Sequence, residues 1–116
     1  MFRGTVLLLA TQRVFNVTNA VRMLYNRDPL MWNDELARGA QQWADAMKDA
    51  DPSKVAHEFD SENLFMGVNA PHIPPEKAVC HWLKEDGHRA TLLSKEITHV
   101  GCGVATGRHS VVVCRY

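Results

Sequence analysis

The sequence lacks any long apolar run and any imbalance of charge. Thirteen Lys and Arg residues match thirteen Asp and Glu residues in a chain of 116 residues, so the formal net charge is zero. Because no basic run or stripe is present, nucleic acid is not an expected partner. The apolar stretches are far too short to span a bilayer, so we expect no integral membrane segment. Length and composition predict a single globular domain.

Several short motifs of known chemistry are also absent from the sequence. The three cysteines form no Cys-x-x-Cys pair, which excludes a zinc ribbon and a thioredoxin-like redox motif. His57-Glu58 has no second histidine four residues on, so the metalloprotease motif His-Glu-x-x-His is missing. No Gly-x-Ser-x-Gly elbow occurs either. The odd number of cysteines leaves at least one thiol free or paired outside the chain.

Residues 1–10 have two interpretations. They contain one basic residue, Arg3, followed by an apolar run that is at the low end of length for the apolar core of a signal peptide. One interpretation is a weak or clipped secretion signal. The other is a frayed N-terminus or the start of a folded helix. In both cases residues 11–116 form the single predicted domain.

Helical patterns dominate the first part of the chain. Apolar residues recur every three or four positions over Thr11–Asn26, and Asp28-Pro29 ends this helix. A second helix begins after Asn33, a good N-cap, and presents one apolar face. A third helix is predicted to begin at Pro75, because proline suits the first helical position, and to break at Gly87.

Strand patterns appear later in the chain. Glu62–Val68 is predicted to be a short strand. Apolar residues alternate along Val100–Val104 and again along Val112–Tyr116, with Gly107–His109 as the turn between them. Helices followed by a terminal hairpin indicate an α+β fold, in which helices pack on a small, largely antiparallel sheet.

The predicted hairpin brings two cysteines together. A turn centred near Arg108 places Cys102 opposite Cys114, and opposed residues of an antiparallel pair can be within disulfide reach. The alternative is two buried thiols in a cytosolic core. We favour the disulfide, which implies an oxidising compartment. Cys80 is expected to be a small buried residue rather than a reactive thiol.

Four groups of residues, in their shared order and spacing, resemble one known family. They are Asn19-x-x-Arg22 with Pro29–Asn33, Leu36–Ala44, Glu62-Asn63-Leu64, and Gly87-His88-Arg89 with Val100–Ala105 and Val113–Tyr116. The chain from about Asn16 to Tyr116 resembles the CAP superfamily of cysteine-rich secretory, antigen 5 and pathogenesis-related 1 proteins, whose module is also called the SCP domain. This resemblance implies a three-layer α-β-α sandwich in a secreted, extracellular protein.

The same resemblance implies a polar cleft. Family members often gather two histidines and two glutamates there, and by motif these correspond to His57, Glu62, Glu85 and His88. Imidazole and carboxylate groups suit Zn²⁺ and similar divalent cations. We therefore expect the four side chains to share a cleft that can hold a metal. The alternative is a cleft without metal, in which the four side chains hydrogen-bond one another.

Three functions follow from this cleft and this resemblance. The first is a secreted binding module, with the sterol or other lipid binding and the defence or host-interaction roles that the resemblance implies. A lipid groove would be lined by Met23, Leu24, Phe65, Met66 and Ile73, although helix packing uses the same residues and is the preferred interpretation. The second is a metal-dependent hydrolase that uses the same cleft. The third is a metal-free structural or interaction domain.

The remaining histidines and one modification motif are interpreted more simply. His72 in a proline-rich loop, His109 in the turn and His99 are all expected at the surface. His81 is not expected to join its neighbouring cysteine in a metal site, because adjacent helical residues point apart. Asn16-Val17-Thr18 fits the sequon for N-glycosylation.

Overall fold

The computed structural model describes the backbone of residues 2–116 and the side chains of residues 9–116. Within that part of the chain, helices and strands follow one another as α1 (Phe2–Leu24), β1 (Met31–Trp32), α2 (Asp34–Met47), β2 (Glu62–Gly67), α3 (Lys77–Leu83), α4 (Asp86–Leu92), β3 (His99–Thr106) and β4 (Ser110–Arg115). A short 3₁₀ turn occupies Pro52–Lys54. This combination of helices and strands confirms the predicted α+β class.

The four strands form one sheet in the order β1-β3-β4-β2. Strand β1 runs parallel to β3, whereas β3 with β4 and β2 with β4 are antiparallel, so the sheet is largely antiparallel as predicted. In the β3–β4 hairpin, Cys102 lies opposite Cys114 and the two form a disulfide, which confirms that prediction. Strand β1 was not predicted, because two residues are too few for a readable alternation.

Helices cover both faces of the sheet. On one face, α2 packs against inward side chains of β3 and β4, and the buried cluster is Ala40, Ala44, Ala105, Val111 and Val113. On the other face, α1, α3 and α4 pack on Val100, Cys102, Val104, Val112 and Cys114, together with Ala10, Val14, Leu30, Ala78, Val79, Trp82 and Leu92. Every residue of β4 is buried, because this strand is central and covered on both faces. The result is a three-layer α-β-α sandwich.

Helix α2 begins as the sequence predicts and lies unusually close to β3. The Asn33 side-chain oxygen accepts a hydrogen bond of 2.8 Å from the Leu36 amide, which is the predicted N-cap. Farther along the helix, the Gln41 side chain bonds both the amide and the carbonyl of Val104. Gly103 allows this approach, since a Cβ there would collide with the backbone of Gln41.

The bounds of the other helices differ from those predicted. Helix α1 begins at Phe2 and ends at Leu24, because the chain leaves the helix through Asn26 in the left-handed region, with φ of 57°. Residues 2–10 lie in α1, and whether they act as a secretion signal stays a prediction. Helix α3 begins at Lys77 rather than Pro75, since Pro74 and Pro75 form the turn before it.

The predicted break at Gly87 was also wrong, and the true break separates α3 from α4 two residues earlier. Glu85 has extended backbone angles, with φ of −114° and ψ of 126°, whereas Gly87 lies inside α4. Because Glu85 is extended, α4 begins after it as a separate helix. As shown below, this extended backbone also directs the Glu85 carboxylate toward two histidines.

Two residues have the opposite burial to the one expected. His109 is completely buried, because its ring serves the loops around it: the Asn69 amide donates to Nδ1 and Nε2 donates to the Ala50 carbonyl, both at 2.9 Å. Cys80 is exposed, since α3 turns Ala78 and Val79 inward instead. His72 and His99 are exposed, as expected.

The helices also bear on the question of a membrane span. Among residues 2–116, none of the helices combines the length and the apolar character needed to cross a bilayer.

The close contact between α2 and β3 generates a prediction about stability. Gly103→Ala should lower the free energy of unfolding by about 1–3 kcal/mol, because the new methyl group is forced against the α2 backbone. Gly87→Ala is the matched control, since a Cβ there meets nothing within 4 Å. Urea denaturation of both variants measures the difference. Wild-type stability for Gly103→Ala would show that the two layers are not so tightly packed.

Candidate functional site

A cleft of about 360 Å³ opens where β2 and α4 begin. His57, Glu62, Glu85 and His88 all line it, together with Asp60, Asn63, Gly87 and Thr91. Four different parts of the chain bring the predicted residues there: the loop before β2, the first residue of β2, the break between α3 and α4, and the first turn of α4. The structure therefore places all four predicted site residues around one cleft.

The Glu62 carboxylate is the fixed point of this cleft. Its side chain is completely buried, and Oε2 accepts a hydrogen bond of 3.0 Å from Nε of Arg115, itself almost completely buried. Oε1 lies 3.2 Å from Nδ1 of His57. Arg115 is held in turn by Glu58, at 2.9 Å, and lies over the ring of Phe59. Both oxygens of Glu62 are therefore occupied by protein groups.

His88 is held by a second set of contacts, centred on Asn63. The Asn63 amide nitrogen donates to the His88 carbonyl at 3.1 Å and to the Tyr116 hydroxyl at 3.2 Å. These bonds orient the amide so that its oxygen faces Nδ1 of His88, at 2.9 Å. Burial raises the pKa of the Tyr116 hydroxyl, so this partner stays protonated.

These contacts determine which nitrogen of each imidazole carries a proton. An amide oxygen and a carboxylate can only accept, so Nδ1 must be the donor in both His88 and His57. Each ring then keeps Nε2 for another partner. Burial, as the main cause, lowers the pKa of His88 below its ordinary value, although Glu85 opposes the shift. His88 is therefore neutral at pH 7, with a lone pair on Nε2.

Glu85 lies between two histidines. Its Oε2 is 3.2 Å from Nε2 of His88, and its Oε1 is 3.1 Å from Nε2 of His81. In neutral His88, Nε2 and the carboxylate oxygen are both acceptors, so their contact is unfavourable unless a proton or another cation lies between them. About half of the Glu85 side chain is exposed, so it has room to turn toward such a cation.

The four side chains do not yet form a complete coordination shell. Over the residues whose side chains are described, no three His, Cys, Asp or Glu groups converge closely enough to be a ready-made metal site. The rings of His57 and His88 are 6.3 Å apart, measured between centroids. His57 is 54% exposed, so much of its ring faces solvent rather than packed side chains. Imidazole and carboxylate donors suit Zn²⁺. To coordinate one cation together with His88, the exposed side chains of His57 and Glu85 would have to move closer to it.

Arg115 also lines a larger depression, of about 700 Å³. Its walls include Glu35, Phe59 and His99, without the paired imidazole and carboxylate groups of the cleft. We place the candidate site in the smaller cleft because its polar groups contact one another in a defined hydrogen-bond arrangement.

Three residues of the site were missed by sequence reasoning. Asn63 lies inside the Glu-Asn-Leu motif but was not given a role of its own. His81 was judged only as a partner of Cys80, although its spacing of four residues from Glu85 favours contact between them. Arg115 carried no signal, because only the register of β2 with β4 places it opposite Glu62.

The apolar groove suggested by the sequence is not formed. Phe65 packs with the cluster on one face of the sheet and Met66 with the cluster on the other, so the two cannot line one groove. The alternative of helix packing is correct for both. Met23 and Leu24 are exposed on α1. Asn16 is also exposed on α1, and its glycosylation stays a prediction.

The fold and the sequence motifs identify the class of this protein. The family model of the cysteine-rich secretory proteins, CAP, matches residues 15–116. The match covers most of the chain, so the chain belongs to the CAP family.

Several individual proteins are similar to this chain in sequence or in structure. It is 27% identical over 109 residues to the uncharacterized protein YkwD of Bacillus subtilis, and the match covers 79% of this chain but only 41% of the relative. The structure is similar to that of MpPR-1i, with a TM-score of 0.69, 24% identity, and 90% and 84% of the two chains covered. An extracellular SCP-domain protein of Bacillus anthracis gives a TM-score of 0.69, 22% identity, and 95% and 41% coverage. The hookworm platelet inhibitor gives a TM-score of 0.68 at 16% identity, and the match covers 91% of this chain and 67% of that protein.

The buried ion pair generates the prediction for this site. Arg115→Met should lower the free energy of unfolding at pH 7 by about 3–5 kcal/mol, because Glu62 is left buried without its cation. Adding Glu62→Gln to that variant should restore part of the loss by removing the unpaired charge. Glu58→Gln is the control: Glu58 is 53% exposed, so its loss should change stability by at most about 1 kcal/mol. Urea denaturation of wild type and the three variants measures these differences. If Arg115→Met were as stable as wild type, the ion pair would not stabilise the fold.

Proposed function

We propose that this chain is a secreted binding module of the CAP family whose cleft holds a divalent cation such as Zn²⁺. The proposed ligands are Nε2 of His57, Nε2 of His88 and the carboxylate of Glu85. One observation carries the proposal: both imidazoles have Nδ1 engaged by protein acceptors, which leaves Nε2 as the nitrogen available to a metal. Metal-binding histidines commonly have this arrangement, with the second nitrogen held by a carboxylate or carbonyl.

In this proposal Glu62 does not bind the cation itself. The sequence suggested it as a ligand, but its two oxygens already serve Arg115 and His57. Its role is to orient His57, as Asn63 orients His88. A bound divalent cation would act as a Lewis acid with open positions for water or an oxygen-bearing ligand.

Binding is favoured over hydrolysis by the same contacts. A hydrolase needs a carboxylate free to accept a proton from water. Glu62 is unsuited to that role because Arg115 and His57 occupy it, and Glu85 is the proposed ligand. The Cys102–Cys114 disulfide supports secretion, since such bonds persist in oxidising compartments.

Zinc calorimetry on protein without a histidine tag tests the metal site. Wild type should bind one Zn²⁺ with micromolar affinity, and His57→Ala/His88→Ala should lose this binding because two nitrogen ligands are removed. Glu62→Gln should weaken it by about tenfold or more, the usual effect of losing a partner that orients a ligand.

The double variant His72→Ala/His99→Ala is the matched control, because both histidines are exposed outside the cleft. It should bind zinc like wild type. Folded wild type that binds no zinc, or a control that loses as much as the cleft variant, would overturn the metal proposal.

Lipid is the second proposed ligand, supported by a run of exposed apolar side chains at the end of α1. Met23 is 62% exposed, Leu24 81% and the following Tyr25 40%. Large apolar side chains exposed at one end of a helix provide surface that a partner or an amphiphile can contact. We propose that a sterol or another lipid contacts the protein through this run.

Transfer of labelled sterol from donor vesicles tests this contact. Wild type should extract sterol, whereas Met23→Gln/Leu24→Gln should extract about tenfold less, because two large apolar contacts are lost. Val68→Gln is the control, as this exposed residue lies just beyond β2, away from α1. The proposal fails if wild type removes no sterol, or if the control and the double variant lose equally.

A further inference from the structure

A second pocket, of about 420 Å³, lies away from the His/Glu cleft, where α1 ends and the loop between α4 and β3 passes β1. Its walls include Arg22, Arg27, Asp28, Met31, Lys95 and Ile97. The family motifs and the proposed function assign no ligand to it. We call it the basic pocket, because three of its side chains carry positive charge.

Arg22 is the buried member of the basic pocket. It is 1% exposed, and its hydrogen bonds go to backbone carbonyls only: Nε donates to Asp28, and Nη1 donates to Leu92 and Ser94. These bonds account for Nε and Nη1, and none of them involves Nη2. A guanidinium buried without a carboxylate partner is unusual, since buried charges are normally paired.

The other two cations are more accessible. Arg27 donates from Nε to the Leu93 carbonyl and from Nη1 to the Tyr25 carbonyl, which leaves Nη2 free of these bonds. Lys95 is exposed on the rim. Among the described ion pairs, none joins Arg22, Arg27 or Lys95 to an acid.

The charges in the basic pocket do not balance. Three cations face one carboxylate, that of Asp28, which leaves two positive charges unmatched. The pKa of Arg22 is lowered by burial first and by the nearby charge of Arg27 second, against the weaker opposing effects of Tyr116 and Asp28. The carbonyl oxygens at the ends of α1 and α4 solvate the two guanidinium groups, but they carry only partial charge.

We propose that the basic pocket binds a phosphate monoester group through Arg22, Arg27 and Lys95. A phosphate monoester has a charge close to −2 and three acceptor oxygens, which suit two unmatched cations with open donors. The pocket is much larger than a phosphate, and Met31 and Ile97 give it apolar walls, so the group would belong to a partly apolar molecule or to a lipid headgroup.

Binding of two probes tests the proposal: inorganic phosphate by calorimetry, and phosphatidylcholine vesicles with or without phosphatidate by co-sedimentation. EDTA is present throughout, so that a metal in the His/Glu cleft does not bind the phosphate instead. Lys95→Gln should weaken binding several-fold without disturbing the fold, because its side chain is exposed. Arg27→Gln/Lys95→Gln should weaken binding at least tenfold. Arg38→Gln/Lys54→Gln removes the same charge from exposed positions elsewhere and should bind like wild type.

Each result has a defined meaning. Binding of free phosphate that depends on Arg27 and Lys95 supports the pocket with a soluble ligand. Binding of phosphatidate vesicles alone, with the same dependence, supports it with a lipid headgroup. Three results would overturn the proposal. Wild type could bind neither probe, Arg27→Gln/Lys95→Gln could bind as well as wild type, or Arg38→Gln/Lys54→Gln could lose as much binding as that variant.

Discussion

The buried ion pair of Arg115 and Glu62 is the constraint on which the cleft depends. The two residues are cross-strand partners in β2 and β4, so the pair forms in one register only. A slip of one residue would leave both charges buried without a partner. Successive strand residues point to opposite faces. Once Glu62 is fixed toward the α2 side with His57, Asn63 must therefore face α4, where it holds His88.

Features of the fold that rest on local chemistry could be predicted from the sequence. The Asn33 cap, the alternation in the hairpin and the Cys102–Cys114 register each involve neighbours along the chain or across a short turn. The errors came from distant contacts. Strand Met31–Trp32 exists only because β3 pairs with it. His109 is buried in a turn, normally a surface position, because loops before β2 and after it need its ring as a hydrogen-bond partner.

For the candidate site, family motifs identified which residues share the cleft but not what each one does. Glu62 was expected to be a ligand, yet its partner Arg115 lies 53 residues away and only the sheet brings them together. The role of each histidine depends on the acceptor at Nδ1, and a sequence does not show that acceptor. The contact of His81 with Glu85 was readable from their spacing on the chain. Spacing of the motifs thus gives the membership of a site, whereas hydrogen-bond partners give its chemistry.

Helix α4 connects the cleft to the basic pocket. Glu85 and Asp86 lie at its N-terminal end, where the helix dipole favours acids, and the carbonyls at its C-terminal end are held by Arg22 and Arg27. Seven helical residues span about 10 Å, comparable to the screening length of about 8 Å at physiological ionic strength. Charges at the two ends are therefore largely screened from each other where they face solvent. The two sites share this helix, since arginines of the basic pocket bond carbonyls at its C-terminal end while His88 lies in its first turn.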